Sequence, residues 1–184
     1  MRLFAAIPLG GEAEAELRRW LERFRSRGWP VRWARDDGLH LTLKFLGEVD
    51  EDRVPAVEEI FVRACAGTPR LSLVANEFGA FPNTRRPRIL WAGFDADPAL
   101  ELLAHRIEQQ YERLAFPVEG RPFRPHVTLG RVKEGAWLPG DAAGELEEAR
   151  PAATFLADRA VLFESRLGPG GAQYRAVREV ALGT

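Results

Sequence analysis

Apolar residues follow two rhythms along this chain, and the rhythms alternate. Arg2-Leu3-Phe4-Ala5-Ala6-Ile7 is a continuous apolar run stopped by Pro8 and Gly10-Gly11, which predicts a buried strand. From Glu12 to about Arg27 the apolar residues Ala15, Leu17, Trp20, Leu21 and Phe24 recur at helical spacing, and Gly28 closes the helix. Val31 to Ala34 reads as a strand and Asp36-Asp37-Gly38 as a turn. Next comes His40-Leu41-Thr42-Leu43, where polar and apolar residues strictly alternate. Such a strand puts Leu41 and Leu43 on one face and His40 and Thr42 on the other. A second helix is expected from about Glu51 to Ala66, with Val54, Val57, Ile60, Phe61 and Ala64 inward. Leu71 to Phe81 is strand-like, with Gly79 a candidate bulge.

The order then begins again. Arg88 to Gly93 repeats the pattern of the opening strand, 86 positions on. The stretch from Pro98 to Gln110 stands where Glu12 to Phe24 stood. Its stripe of Leu100, Leu103 and Ile107, continued by Tyr111 and Leu114, predicts a helix. His126-Val127-Thr128-Leu129 repeats the first His-x-Thr strand at the same offset, 126 − 40 = 86. Beyond it the register slips: Phe155 to Phe163 matches Leu73 to Phe81 at an offset of 82. The Ala/Glu-rich linker Pro139 to Pro151 is expected to carry a short helix. A last strand, Tyr174 to Ala181, returns across Gly168-Pro169-Gly170-Gly171. An internal duplication is the simplest account. The expectation is one α+β domain over 1–184 with halves of about 1–82 and 87–181. Its two pseudo-two-fold-related lobes each hold a mainly antiparallel sheet backed by helices, strands are free to exchange, and the cleft lies between them.

Composition narrows the class. Hydrophobic content of 46%, charged content of 29% and a net charge of −1 describe an ordinary globular protein with no global field for nucleic acid. Any RNA contact must therefore be a local patch. The single Cys65 excludes an internal disulfide and suits a reducing compartment, and it falls on a helix where packing explains it. The opening apolar run is too short for a secretory signal and no stretch approaches a membrane span. A cytoplasmic, monomeric protein without membrane attachment is expected.

Two of the three histidines carry a threonine two places on; the exception, His105, falls within a predicted helix and reads as a surface or packing residue. The bland account is a pair of amphipathic strands whose polar faces happen to carry these residues. The functional account is a site with two proton-transfer groups and two hydroxyl donors. An imidazole near its ordinary pKa takes either role at neutral pH, so one ring can activate water while the other protonates a leaving oxygen. Threonine hydroxyls suit phosphate oxygens. That combination fits phosphodiester hydrolysis without a metal or cofactor. Zinc-type spacings such as H-x-x-x-H or C-x-x-C do not occur, nor does G-x-S-x-G, and the Gly168 to Gly171 run lacks the Lys and Ser/Thr of a phosphate loop.

The two motifs in full, His40-Leu41-Thr42-Leu43-Lys44-Phe45-Leu46-Gly47 and Pro125-His126-Val127-Thr128-Leu129-Gly130-Arg131, resemble the paired signatures of the two-histidine (2H) phosphoesterases. Within that superfamily the chain most resembles the RNA 2′,3′-cyclic phosphodiesterases, historically called 2′-5′ RNA ligases. The resemblance implies a bilobal fold and hydrolysis of an RNA 2′,3′-cyclic phosphate end to a 2′-phosphate, with ligation as the reverse chemistry. It also implies that His40 donates a proton to the departing 3′ oxygen, that His126 accepts one from water, and that Thr42 and Thr128 bind phosphate. The near-symmetry of the motifs leaves the acid and base roles undecided on physical grounds. Lys44 shares parity with His40 and Thr42 and is a candidate phosphate contact or rim residue. Arg131 faces away by strict alternation and reaches the site only if the strand ends or bulges at Gly130. Arg85-Arg86-Pro87-Arg88 and Arg121-Pro122-Phe123-Arg124 are candidate RNA contacts with Phe123 a stacking surface, whereas Trp33 and Trp91 read as core. A non-catalytic RNA- or nucleotide-binding module of the same fold is the alternative.

Overall fold

The computed structural model describes residues 1–35, 38–95, 97–168 and 171–183. Its strands are β1 (Arg2–Pro8), β2 (Val31–Trp33), β3 (His40–Glu48), β4 (Leu71–Phe81), β5 (Ile89–Phe94), β6 (His126–Val132), β7 (Ala153–Ala157), β8 (Arg159–Gly168) and β9 (Gly171–Ala181). The helices are α1 (Gly11–Arg25), α2 (Val54–Cys65), α3 (Pro98–Glu112) and α4 (Ala142–Glu148). One curled sheet runs in the order β7-β4-β5-β6-β3-β1-β8-β9, with β2 paired to β6. Each of these strand pairs is antiparallel. The halves of the sheet meet at β3 and β6 through the single pair Leu41–Val127.

Strands cross between the halves of the sequence. β4 pairs with β5 and β7, while β8 pairs with β1. Helices cross as well. The α1 residues Trp20 and Phe24 pack on Phe78 of β4, with ring centroids 5.1 and 5.2 Å away. On the other side α3 packs against β3 and α2, where the Tyr111 hydroxyl donates to the Val57 carbonyl at 3.1 Å. Each helix is held by its buried stripe: Ala13, Leu17, Leu21 and Phe24 in α1, and Leu100, Leu103, Ala104, Ile107 and Tyr111 in α3. Ala13 takes the place expected of Ala15, which is exposed. Asp97 caps α3 by accepting from the amides of Ala99 and Leu100, both at 2.9 Å. Cys65 is buried under α3, and burial pushes its thiol up to about 12, which fits packing rather than chemistry.

Four expectations need correction. The segment Phe155 to Phe163 is two strands broken at Asp158, because β7 joins β4 while β8 joins β1. Gly79 marks no bulge; the register shift in β4 lies between Ala75 and Glu77. Gly79 is instead required by close approach, since a Cβ there would sit 2.4 Å from Cζ2 of Trp91. The outer strands match at an offset of 85 rather than 86. Phe4, Ala5 and Ala6 face Phe45, Lys44 and Thr42, as Ile89, Leu90 and Trp91 face Arg131, Gly130 and Thr128. Finally, the helix read from about Glu51 begins with a 3-10 turn over Glu51–Arg53. The expected turns at Asp36-Asp37 and Pro169-Gly170 lie outside the described residues.

Candidate active site

The β3–β6 junction builds the site. Leu41 and Val127 are directly opposed and both fully buried in the core. Their flanking residues therefore point to the other, concave face, with His40 opposite Thr128 and Thr42 opposite His126. The four side chains form a quadrilateral in which the two imidazoles occupy one diagonal, about 7–8 Å apart between strand positions. All four are half-buried.

The rings are held alike. His40 Nδ1 lies 2.7 Å from the Gly38 carbonyl, and His126 Nδ1 lies 2.7 Å from the Arg124 carbonyl. A carbonyl only accepts, so each Nδ1 carries the proton and each Nε2 is left for the cleft. Aromatic walls stand beside both. His40 packs against Phe4 at 4.8 Å and edge-on to Tyr174 at 4.9 Å; Phe81 is edge-on to His126 at 5.1 Å. Burial lowers the pKa of both rings below the ordinary imidazole value, more than their carbonyl contacts restore, and the charge of His126 lowers His40 further. The two rings thus share one electrostatic environment.

A bulge in each strand decides the flanking cations. Leu43 and Leu129 have no partner in the β1–β3 and β5–β6 ladders, so face parity reverses after each. Lys44 is carried to the helix side, contrary to the shared parity expected of it. There it is 2% exposed, with Nζ 2.7 Å from Glu108 Oε1 and 2.8 Å from the Pro117 carbonyl. Phe45 takes the cleft-side position instead, 55% exposed and 5.8 Å from Phe4. In β6 the reversal brings Arg131 onto the face of His126 and Thr128, which strict alternation denied it. Its charge is felt by the phenol of Tyr174 across the cleft. Gly130 lies between the bulge and Arg131 because β2 passes too close for a side chain; a Cβ there would meet Val31 Cγ1 at 2.5 Å.

Trp91 is buried as expected but on the concave face, beside Thr128 and 6.4 Å from His126, and its indole Nε1 has no partner among the described residues. Trp33 packs with Phe24 and Trp29 in the core. His105 is exposed on α3. Arg85, Arg86 and Arg88 line a separate groove of about 510 Å³ with Trp137. Phe123 is packed against the core, and Arg121 and Arg124 are exposed. Phe4, Phe81, Phe163 and Tyr174 were not singled out as site residues from the sequence; only their place in aromatic-bearing strands hinted at them. Among the described residues no three His, Cys, Asp or Glu side chains converge as metal ligands, and no helix is long and apolar enough to cross a membrane.

A family model described as LigT-like phosphoesterase matches residues 7–91 and 95–174. The chain belongs to that family. It is 31% identical over 180 residues to the RNA 2′,3′-cyclic phosphodiesterase of Thermotoga maritima, covering 97% of this chain and 94% of the relative. The protein of the same name from Methanocaldococcus jannaschii is 30% identical over 181 residues, with 97% and 99% covered. The fold is similar to a crystal structure from Thermus thermophilus, at a TM-score of 0.84 and 28% identity over 99% of this chain and 98% of that one. It is also similar to Escherichia coli LigT complexed with 3′-AMP, at a TM-score of 0.77 and 27% identity over 100% of this chain and 98% of that one.

Proposed function

We propose that this LigT-like phosphoesterase hydrolyses RNA or oligonucleotide 2′,3′-cyclic phosphate ends to 2′-phosphomonoesters by paired-histidine acid–base catalysis, without a metal. The observation that carries the reading is the matched pair of imidazoles. Both have Nδ1 tied to a carbonyl two residues back, and both stand on one face beside a threonine of the partner strand. The curated relatives named as RNA 2′,3′-cyclic phosphodiesterases support the substrate class.

In this reading the phosphorus lies over the Leu41–Val127 pair, with the hydroxyls of Thr42 and Thr128 donating to its non-bridging oxygens. Neutral His126 takes a proton from water through Nε2 as the new P–O bond forms. Protonated His40 gives its proton to the 3′ oxygen as the P–O3′ bond breaks, leaving a 2′-phosphate and a 3′ hydroxyl. Arg131, on the same face, adds positive charge near the anion. The direction of the two roles follows the family resemblance. In the free protein a charge on one ring opposes a charge on the other, so the pair takes up one proton more readily than two. Binding of the phosphate anion is what raises His40 into its role. Ligation to a 2′,5′ bond follows the same path with a 5′ hydroxyl in place of water: the P–O5′ bond forms as the P–O3′ bond breaks, and His126 takes the hydroxyl proton.

The test is an oligonucleotide with a 2′,3′-cyclic phosphate end, assayed after chelator treatment. The expected product is the 2′-phosphate at an undiminished rate. Tight binding of that oligonucleotide with no turnover would favour a non-catalytic binding module instead.

A further inference from the structure

The arginine-rich stretch before β5 takes no part in the chemistry at the β3–β6 junction, and it builds a groove of its own. β4 ends at Phe81, β5 starts at Ile89 and β6 ends at Val132, so the loops that leave them lie at one end of the sheet. Backbone bonds join the three. The Arg88 amide donates to the Phe81 carbonyl at 2.8 Å, and the Val132 amide donates to the Arg88 carbonyl at 2.9 Å. Arg85, Arg86 and Arg88 from the first loop and Trp137 from the second line the groove of about 510 Å³. Val132 stands four residues past Thr128, about 13 Å of strand. The groove begins beyond it and does not serve the reacting phosphate.

Its side chains are arranged for a ligand. Trp137 is 65% exposed although its neighbour Leu138 packs against the core, so a fixed segment holds the indole out in water. The Arg88 guanidinium lies over that ring, 5.7 Å from its centroid. The three arginines are exposed, and none has a carboxylate within ion-pair distance among the described residues. The carboxylate that does touch this loop, Glu147, accepts from Thr84 instead. The loop is also shaped in advance: Asn83 Oδ1 accepts from the amides of Arg85 and Arg86 at 3.1 and 3.0 Å, and Pro87 is buried. On a chain of net charge −1, this is the local patch that single-stranded nucleic acid requires, with guanidinium groups for the backbone and a ring for a base.

We propose that the Trp137 groove is an exosite for single-stranded RNA, holding the body of the substrate strand away from its reacting end. This rests on the reading above for the nature of the ligand. Fluorescence anisotropy with a decanucleotide RNA ending in a plain 3′ hydroxyl reads the groove without turnover. Trp137→Ala binds it about tenfold more weakly than wild type, and Trp137→Phe keeps most of the affinity. Arg85→Gln and Arg86→Gln together make the salt dependence shallower, by about 1.4 in the log–log slope. An RNA duplex of the same length, whose bases are already stacked and paired, is far less sensitive to Trp137→Ala. Equal binding of the single strand by wild type and Trp137→Ala would overturn the exosite, as would an equal loss on the duplex.

Turnover supplies a second readout. On the same decanucleotide with a 2′,3′-cyclic phosphate end, Trp137→Ala lowers kcat/KM about tenfold, mainly through KM, and it leaves a nucleoside 2′,3′-cyclic phosphate unaffected. Equal losses on both substrates would mean that the substitution disturbs the catalytic cleft, and would overturn the proposal. If wild type hydrolyses neither substrate while anisotropy still separates Trp137→Ala from wild type, the exosite stands and only the catalytic reading falls.

Discussion

His40 and His126 are each pinned through Nδ1 by their own strand's preceding backbone, so tautomer and ring orientation are local properties of the His-x-Thr segment. Both rings are lowered in pKa by burial. The proposed mechanism needs one neutral and one protonated ring, and the depressed values move that condition to the acid side of an ordinary imidazole near 6.5. The kcat/KM profile of the free enzyme is therefore expected to peak below about pH 6.5 and decline through neutrality as the acid loses its proton. A rate still rising at pH 8 would contradict it. The sign for folding is related: the unfolded chain binds protons that the folded imidazoles refuse, so stability rises with pH across the window below about 6.5. Thr42→Val or Thr128→Val keeps the shape but deletes the hydroxyl, and each is expected to lower kcat roughly 10²-fold. Unchanged kcat in either variant would remove that threonine from the phosphate.

At the scale of elements, the bulges at Leu43 and Leu129 decide which side chains enter the cleft. The His-x-Thr parity was legible in the sequence because both pairs precede the bulges. The facing of residues beyond the bulges was not, and Lys44 and Arg131 exchanged the sides that alternation assigns. A signal exists in β6: Leu129 and Val132 are both buried although three apart, a spacing a regular strand cannot produce. Lys44 then belongs to the α3 interface. Glu108→Ala leaves its ammonium without a carboxylate in the core and is expected to cost about 3 kcal/mol, read by urea melts. Lys44→Met is expected to be much milder in stability and to keep the wild-type kcat; a large loss of kcat would return Lys44 to the site. Gly79→Ala drives a methyl into Trp91 beside His126 and is expected to lower stability by roughly 1–3 kcal/mol, with kcat falling too. A variant as stable and active as wild type would mean that Trp91 gives way freely.

Over the whole molecule, the element order and the bringing together of the two motif strands followed from hydrophobic rhythm and repeat, whereas their direct pairing within one sheet did not. The exchange of β4 and β8 between halves did not, because pairing partners far apart in sequence leave no local trace. Nor did the aromatic walls: Tyr174 reaches His40 only because β9 folds back on β8, which itself lies beside β1. That topology brings the halves of the sheet together at one residue pair and places a histidine from each beside it.

Two imidazoles acting as a unit give non-additive losses when removed. Single-turnover rates on a 2′,3′-cyclic phosphate oligonucleotide, measured for wild type, His40→Ala, His126→Ala and the double variant, test this most directly. Each single substitution is expected to slow the step by roughly 10²- to 10⁴-fold or more, and the double variant to be little slower than either. A single variant that keeps a rate near wild type, or a double variant whose loss is the product of the two, would contradict the paired mechanism.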